Sequence, residues 1–188
     1  VDGNNQQSSE NYYKIGIKTL YEEYNAILQF LSSIKLNIKI IHPAYNDNFL
    51  SNDINLEDFQ GIVWTGSSLN LNDMTPPVTR QIELAKTLLT KKNKIFGSCW
   101  GLQVLTAAAG GTIKKNAKGL EAVIANNIKL NPYGQLHGIY INKPKNFDSF
   151  CWHYDEVEKI PDKAIVLASN NHSDVQALTF TRGFSEVW

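Results

Sequence analysis

The chain has 188 residues, 43% of them hydrophobic, with 18 Lys+Arg balanced by 18 Asp+Glu. That length and apolar content suit one domain with a substantial core and are short for two. The even charge, with no basic run interleaved with aromatics, argues against a nucleic-acid partner, and no apolar stretch approaches the roughly 20 residues that span a bilayer.

No secretory leader is visible, so no membrane partner is expected either. Two cysteines, Cys99 and Cys151, are too few for a disulfide framework and fit a reducing, cytoplasmic setting. In chain order, residues 13 to 34 place Ile17, Leu20, Tyr21, Tyr24, Ile27, Leu28 and Leu31 at spacings of three and four, which predicts an amphipathic helix. Leu36–Ile41 reads as a strand. So does Gly61–Trp64, which runs into the small-residue turn Thr65-Gly66-Ser67-Ser68. Pro76-Pro77 opens a second helix whose apolar face is Val78, Ile82, Leu84, Ala85, Leu88 and Leu89. Strand Lys94-Ile95-Phe96 and a helix from Leu102 to Ala109 follow.

This alternation predicts an α/β fold with a doubly wound, mostly parallel, flavodoxin-like sheet. Past Gly110-Gly111 the strand-like runs Ala122–Ile124, Ser149–Trp152, Ala164–Ala168 and Val175–Phe180 predict a small mixed or antiparallel extension. No internal repeat, low-complexity tract or linker interrupts the chain.

The chemistry concentrates in Gly97-Ser98-Cys99-Trp100-Gly101, a Gly-x-Cys-x-Gly elbow between a strand and a helix. A nucleophile at such a tip needs strained backbone at its own position and no side-chain bulk on either side, which two glycines provide. The helix N-terminus favours thiolate over thiol, so a lowered thiol pKa is expected at Cys99. A buried structural cysteine beside a Gly-rich turn is the alternative from these residues alone. Ligands of open α/β sheets bind at the carboxyl ends of strands, where both the Gly66 turn and the Cys99 elbow lie. No P-loop or Gly-x-Gly-x-x-Gly follows a strand, and the histidines and cysteines lack zinc-ligand spacing, so no cofactor or metal is expected.

These residues resemble the class I, triad-type glutamine amidotransferases, in particular the ammonia-supplying domain of GMP synthase. The resemblance is carried by Phe96–Gln103, Ala109-Gly110-Gly111, Gly61–Ser67, Gly119-Leu120-Glu121, Trp152-His153-Tyr154-Asp155, and Ala168-Ser169 through Val175-Gln176-Ala177. It spans nearly the whole chain, in the family's order. It implies that Cys99 attacks the side-chain amide of glutamine, forms a γ-glutamyl thioester and releases ammonia to a synthetase domain or subunit. It implies an oxyanion hole from the backbone amides of Gly66 and Trp100, and a glutamine pocket lined by Gln103, Tyr154 and Asp155.

Departures from the family pattern accompany the matches. Thr65-Gly66-Ser67 stands where many members have Gly-Gly-Pro, and Tyr154 where many have Gly. The family's His-x-Glu pair, placed after the strand that follows the Gln-Ala segment, has no counterpart before Ser185-Glu186-Val187-Trp188, and Val1-Asp2-Gly3 resembles the tail of a first strand. The expectation is a single domain over residues 1–188, trimmed at both ends. Of the four histidines, His42, His137 and His172 read as ordinary surface residues; His153 matches a structural or substrate-side position, with a role as base the lesser reading, so the residues given are expected to lack the base and its orienting carboxylate. Two further readings compete: γ-glutamyl hydrolysis of a peptide, polyamine or amino-acid amide on the same fold, and a non-catalytic glutamine-binding or regulatory module.

Overall fold

The structure is a computed structural model that describes residues 1–51, 54–183 and 185–188. The helix expected over residues 13 to 34 is divided. The helix α1 spans Gln6–Lys14, capped by the Asn5 side chain, and α2 spans Leu20–Leu31. Gly16, at φ +72, gives the backbone a left-handed turn that the helix cannot continue through. Thr19 and Glu22 then form a capping box that starts α2, so Ile17 falls outside it and is half exposed.

The helix α3 (Pro76–Leu89) begins at the proline pair as expected. It is followed by α4 (Trp100–Ala108) and by a short α5 (Pro132–Leu136). The strands of the described residues are β1 (Ile62–Trp64), β2 (Lys94–Gly97), β3 (Thr112–Lys115), β4 (Glu121–Leu130), β5 (Asn146–His153), β6 (Asp155–Lys159), β7 (Ile165–Ser169), β8 (Ala177–Arg182) and β9 (Ser185–Val187). One sheet has the order β1-β2-β9-β8-β7-β4-β5, and β3 pairs with β6 in a separate antiparallel ribbon. Pairings β1·β2 and β2·β9 are parallel, and the remaining pairings of the large sheet are antiparallel. The α/β class is borne out, and the antiparallel share is larger than the small extension expected.

Leu36–Ile41 is not a strand. The position beside β1 is taken by Val1, whose carbonyl accepts from Thr65 N–H at 3.1 Å, while Asp2 N–H donates to the Ile41 carbonyl at 3.0 Å. The segment therefore lies one position further out and meets the sheet at its end. Ser185–Val187 is the strand expected to begin there, and it inserts between β2 and β8.

The main core is built from α3, α4 and the parallel strands: Ile62, Trp64, Val78, Ala85, Leu88, Ile95, Val104, Leu105 and Val187 are all buried. Inside it lies one polar knot. Gln81, wholly buried, accepts with Oε1 from the indole N–H of Trp64 at 3.0 Å and of Trp100 at 2.8 Å, and donates with Nε2 to the Gly3 carbonyl at 3.0 Å. The end of β1, the middle of α3 and the first residue of α4 are thereby tied together. Among the described residues, a second core cluster on the antiparallel strands has four buried members, Ala125, Ile128, Leu130 and Ala168.

Candidate active site

Between β2 and α4 the chain reverses at Cys99, which sits at φ 53, ψ −102. A non-glycine residue with such a φ is strained by about 1 kcal/mol or more, and the crossing of two backbones beneath it holds it there. A Cβ on Gly97 would lie 2.6 Å from the Gly101 carbonyl carbon, and one on Gly101 would lie 2.8 Å from the Trp64 carbonyl oxygen. Ser98 N–H donates to that same Trp64 oxygen at 3.0 Å. The two glycines thus let α4 start directly against the end of β1, and the turn pushes the thiol outward.

The outcome brings the Gly66 turn to the elbow: the position a Gly66 Cβ would take is 3.8 Å from the Cys99 Cβ. The Trp100 backbone N–H is hydrogen-bonded to the Cys99 sulfur, and the thiol donates to the Trp152 carbonyl at 3.8 Å. The lowered thiol pKa expected from the helix is not what results. Desolvation by the surrounding walls pushes the Cys99 thiol up, the Trp100 N–H opposes this, and the Asp155 carboxylate adds to the rise.

The thiol opens into a cleft of about 410 Å³. Gln103, on α4 one turn after Cys99, lines it and is nearly buried, and Asp155, the first residue of β6, lines it from the opposite side. Burial pushes the Asp155 carboxyl up, with Lys115 and His153 opposing. Tyr154 is half exposed and lies outside the lining, and its carbonyl accepts from Asn116 N–H at 2.9 Å. The outer wall is apolar and aromatic, with Phe96, Ile139, Tyr140, Phe147 and Trp152. A separate groove of about 650 Å³ lies between β1 and Leu36–Ile41, away from Cys99 and His153.

His153 lines the cleft, yet both of its ring nitrogens face acceptors. Nδ1 meets the Asp155 carbonyl at 3.0 Å, and Nε2 meets Glu121 Oε2 at 2.8 Å. Glu121, 6% exposed, also accepts from Asn170 Nδ2 at 2.6 Å and Gln176 Nε2 at 2.7 Å. Desolvation by itself would raise the Glu121 carboxyl, but these donors together hold it below the ordinary carboxylate range. Sequence reasoning gave Glu121, Asn170 and Gln176 no role. The available signal was that Glu121 and Gln176 each fall inside a matched segment. The other histidines are partly buried rather than ordinary surface residues. His42 Nδ1 is 3.0 Å from the buried Asp2 carboxylate, His172 Nε2 is 3.2 Å from the Gly119 carbonyl, and His137 accepts from Ile139 N–H at 3.3 Å.

Among the described residues, no group of three or more His, Cys, Asp or Glu is arranged to hold a metal, and no helix is long and apolar enough to cross a membrane.

The chain is similar to several known proteins. A γ-glutamyl-L-1-hydroxyisopropylamide hydrolase of Pseudomonas sp. is 28% identical over 100% of this chain and 63% of its own length. A glutamine-hydrolysing GMP synthase subunit of Methanococcus vannielii is 28% identical over 79% of this chain and 74% of its own. γ-Glutamyl peptidase 4 of Arabidopsis thaliana is 28% identical over 69% of this chain and 52% of its own, so the chain spans about half to three quarters of these relatives. Among solved structures, a glutamine amidotransferase from Methylobacillus flagellatus aligns with a TM-score of 0.63 over 85% of this chain and 59% of its own at 19% identity, a likeness of fold. The family model for glutamine amidotransferase class-I matches residues 21–183. With the elbow, the cleft and the sheet around them, that match over most of the chain makes this protein a member of the class I glutamine amidotransferase family.

Proposed function

We propose that the protein cleaves a γ-glutamyl side-chain amide with Cys99 as nucleophile, glutamine being the simplest substrate. The observation that carries this reading is the strained Cys99 at the elbow, flanked by Gly66 and by the Trp100 N–H and facing one cleft. The thiolate adds to the amide carbonyl carbon, and the oxyanion is met by the Gly66 and Trp100 amides. The C–N bond then breaks, the nitrogen takes up a proton and leaves as ammonia, and water cleaves the thioester to glutamate and free thiol. Gln103 and Asp155 are the side chains assigned to the glutamyl group. Asp155 suits its α-ammonium, because a cation relieves the carboxylate that burial disfavours. Tyr154 contributes through its main chain, by fixing the bend between β5 and β6.

The likeness to a GMP synthase component favours a synthetase partner, on another domain or another chain, that takes up the ammonia. Free Cys99 and Cys151 suit a reducing, cytoplasmic setting. A second reading, hydrolysis of a larger γ-glutamyl amide, is favoured by the apolar outer wall of the cleft and by the Pseudomonas hydrolase whose match spans the whole chain.

The test is intact mass after exposure to a glutamine-like γ-electrophile, with and without excess glutamine, beside Cys99→Ala. Labelling confined to Cys99 and suppressed by glutamine supports the proposal. Labelling that neither glutamine nor a γ-glutamyl alkylamide suppresses, or that is equal at Cys151, refutes it. Suppression by a γ-glutamyl alkylamide at concentrations where glutamine fails selects the second reading.

A further inference from the structure

We infer that the Glu121–His153 pair is a positioning device that sets the distance between the Trp152–Asp155 segment and Cys99, and that His153 is not the base. The inference rests on the reading of the cleft as a γ-glutamyl site and deepens it.

A base for Cys99 needs a ring nitrogen free to accept the thiol proton. Neither His153 nitrogen is directed at the thiol: Nδ1 faces the Asp155 carbonyl at 3.0 Å and Nε2 the Glu121 carboxylate at 2.8 Å, and the ring donates to both together as an imidazolium paired with Glu121. Between those two acceptors the ring works as a rigid strut. One end is fixed to Glu121, which is itself held by Asn170 and Gln176 from the β7–β8 side. The other end grips the backbone of Asp155. The residues on either side of the strut are the ones that face the nucleophile: the Trp152 carbonyl takes the Cys99 thiol at 3.8 Å, and Asp155 lines the cleft.

A second set of bonds steadies the same segment from outside. Asn116 N–H donates to the Tyr154 carbonyl at 2.9 Å, and Asn116 Nδ2 donates to Glu156 at 2.9 Å. Ser173, buried, donates to the same Glu156 oxygen at 3.1 Å. The polar chain thus runs from β4 through the β7–β8 loop to the cleft lip without using the apolar core. A buried carboxylate with three donors is costly to leave half satisfied, so its substitution releases the lip rather than letting it repack.

The experiment compares wild type with Glu121→Gln and His153→Gln in three measurements. These are inactivation by the γ-electrophile, resolved into its apparent affinity and its maximal rate, alkylation of Cys99 by iodoacetamide, and hydrogen exchange of residues 152–156. The expected result is an apparent affinity weakened on the order of ten- to a hundredfold in both variants, the effect of misplacing one wall of a binding site. Iodoacetamide still alkylates Cys99 in both variants, no more slowly than in wild type, because the elbow is set by Gly97 and Gly101 and a released lip relieves the desolvation of the thiol. Exchange rises in residues 152–156 and is unchanged over residues 97–103.

Unchanged affinity and exchange in a folded variant overturn the inference. So does a His153→Gln variant that keeps its affinity and loses only maximal rate, since that marks a base. Should neither glutamine nor a γ-glutamyl alkylamide protect the wild type from labelling, the γ-glutamyl reading fails by that result alone, and the exchange comparison still decides whether the strut positions the lip.

Discussion

The two sides of the cleft are held in place by different forces. On the elbow side, Cys99 is fixed by backbone crossing at van der Waals contact and by a core in which Trp64, Trp100, Leu105 and Ile95 are at most 1% exposed. On the lip side, Trp152–Asp155 lies outside the main core and is tied down by hydrogen bonds from His153 to Glu121 and from Asn116 to the Tyr154 carbonyl, Asn116 being held in turn by Glu156. Packing of the first kind, with Gln81 as its one polar tie, holds no titratable group and is insensitive to pH, whereas a chain of charged and polar links fails wherever one link is removed. A nucleophile needs the first kind of support. A lip that admits and releases substrate is suited by the second.

The sharpest break is at the elbow itself: Cys99→Ala should abolish labelling by the γ-electrophile entirely, which intact mass reads, while the chain stays folded. Next comes Gln81→Leu, which leaves two buried indole N–H groups without an acceptor and should cost about 3 kcal/mol at 1 to 3 per group, measured by urea unfolding. Ile128→Ala, in the smaller cluster, should cost about 2 kcal/mol, the low end for such truncations, because few buried neighbours surround it. If Ile128→Ala costs as much as Leu105→Ala, the contrast between the two cores is wrong. Cys99→Gly should raise stability by about 1 kcal/mol by relieving the positive φ, at the expense of all labelling.

The smallest effects are those of pH. The Glu121 carboxyl is lower in the folded protein than in the unfolded chain, so its stabilisation is complete above the ordinary carboxylate range and is lost as pH falls through the folded value. Hydrogen exchange of the lip should therefore rise as pH falls into the acid range and Glu121 takes up its proton. The Cys99 thiol moves the other way. Its raised pKa leaves less thiolate at neutral pH than a free cysteine has, so its alkylation should climb about tenfold per pH unit through the neutral range.

Much of the elbow side was legible in the sequence. Gly97, Cys99 and Gly101 state a local steric requirement within five residues, and Pro76-Pro77 with the Val78–Leu89 spacing states a helix. The α1–α2 break was there as well, in Gly16 and the Thr19/Glu22 capping box, but the continuous apolar spacing from Ile17 to Leu31 masked it. The lip segment was legible only through the resemblance, and the ties that hold it were not legible at all. Glu121, His153, Asn170 and Gln176 are separated by as many as 55 positions between Glu121 and Gln176, and polar residues carry no periodicity that would pair them. The resemblance placed Tyr154 in the pocket, but the bend at that position turns its side chain away from the cleft.

The sequence by itself determined the family and the strand-turn-helix that presents Cys99, because the elbow follows from short-range geometry that few residue types satisfy. Tertiary structure alone decided three things. It set Val1 rather than Leu36–Ile41 beside β1, it raised the Cys99 thiol where an isolated helix end would lower it, and it locked His153 between two acceptors. Each depends on which distant groups come within a few ångströms. Hydrogen bonding and desolvation act at that range, and sequence separation does not encode it.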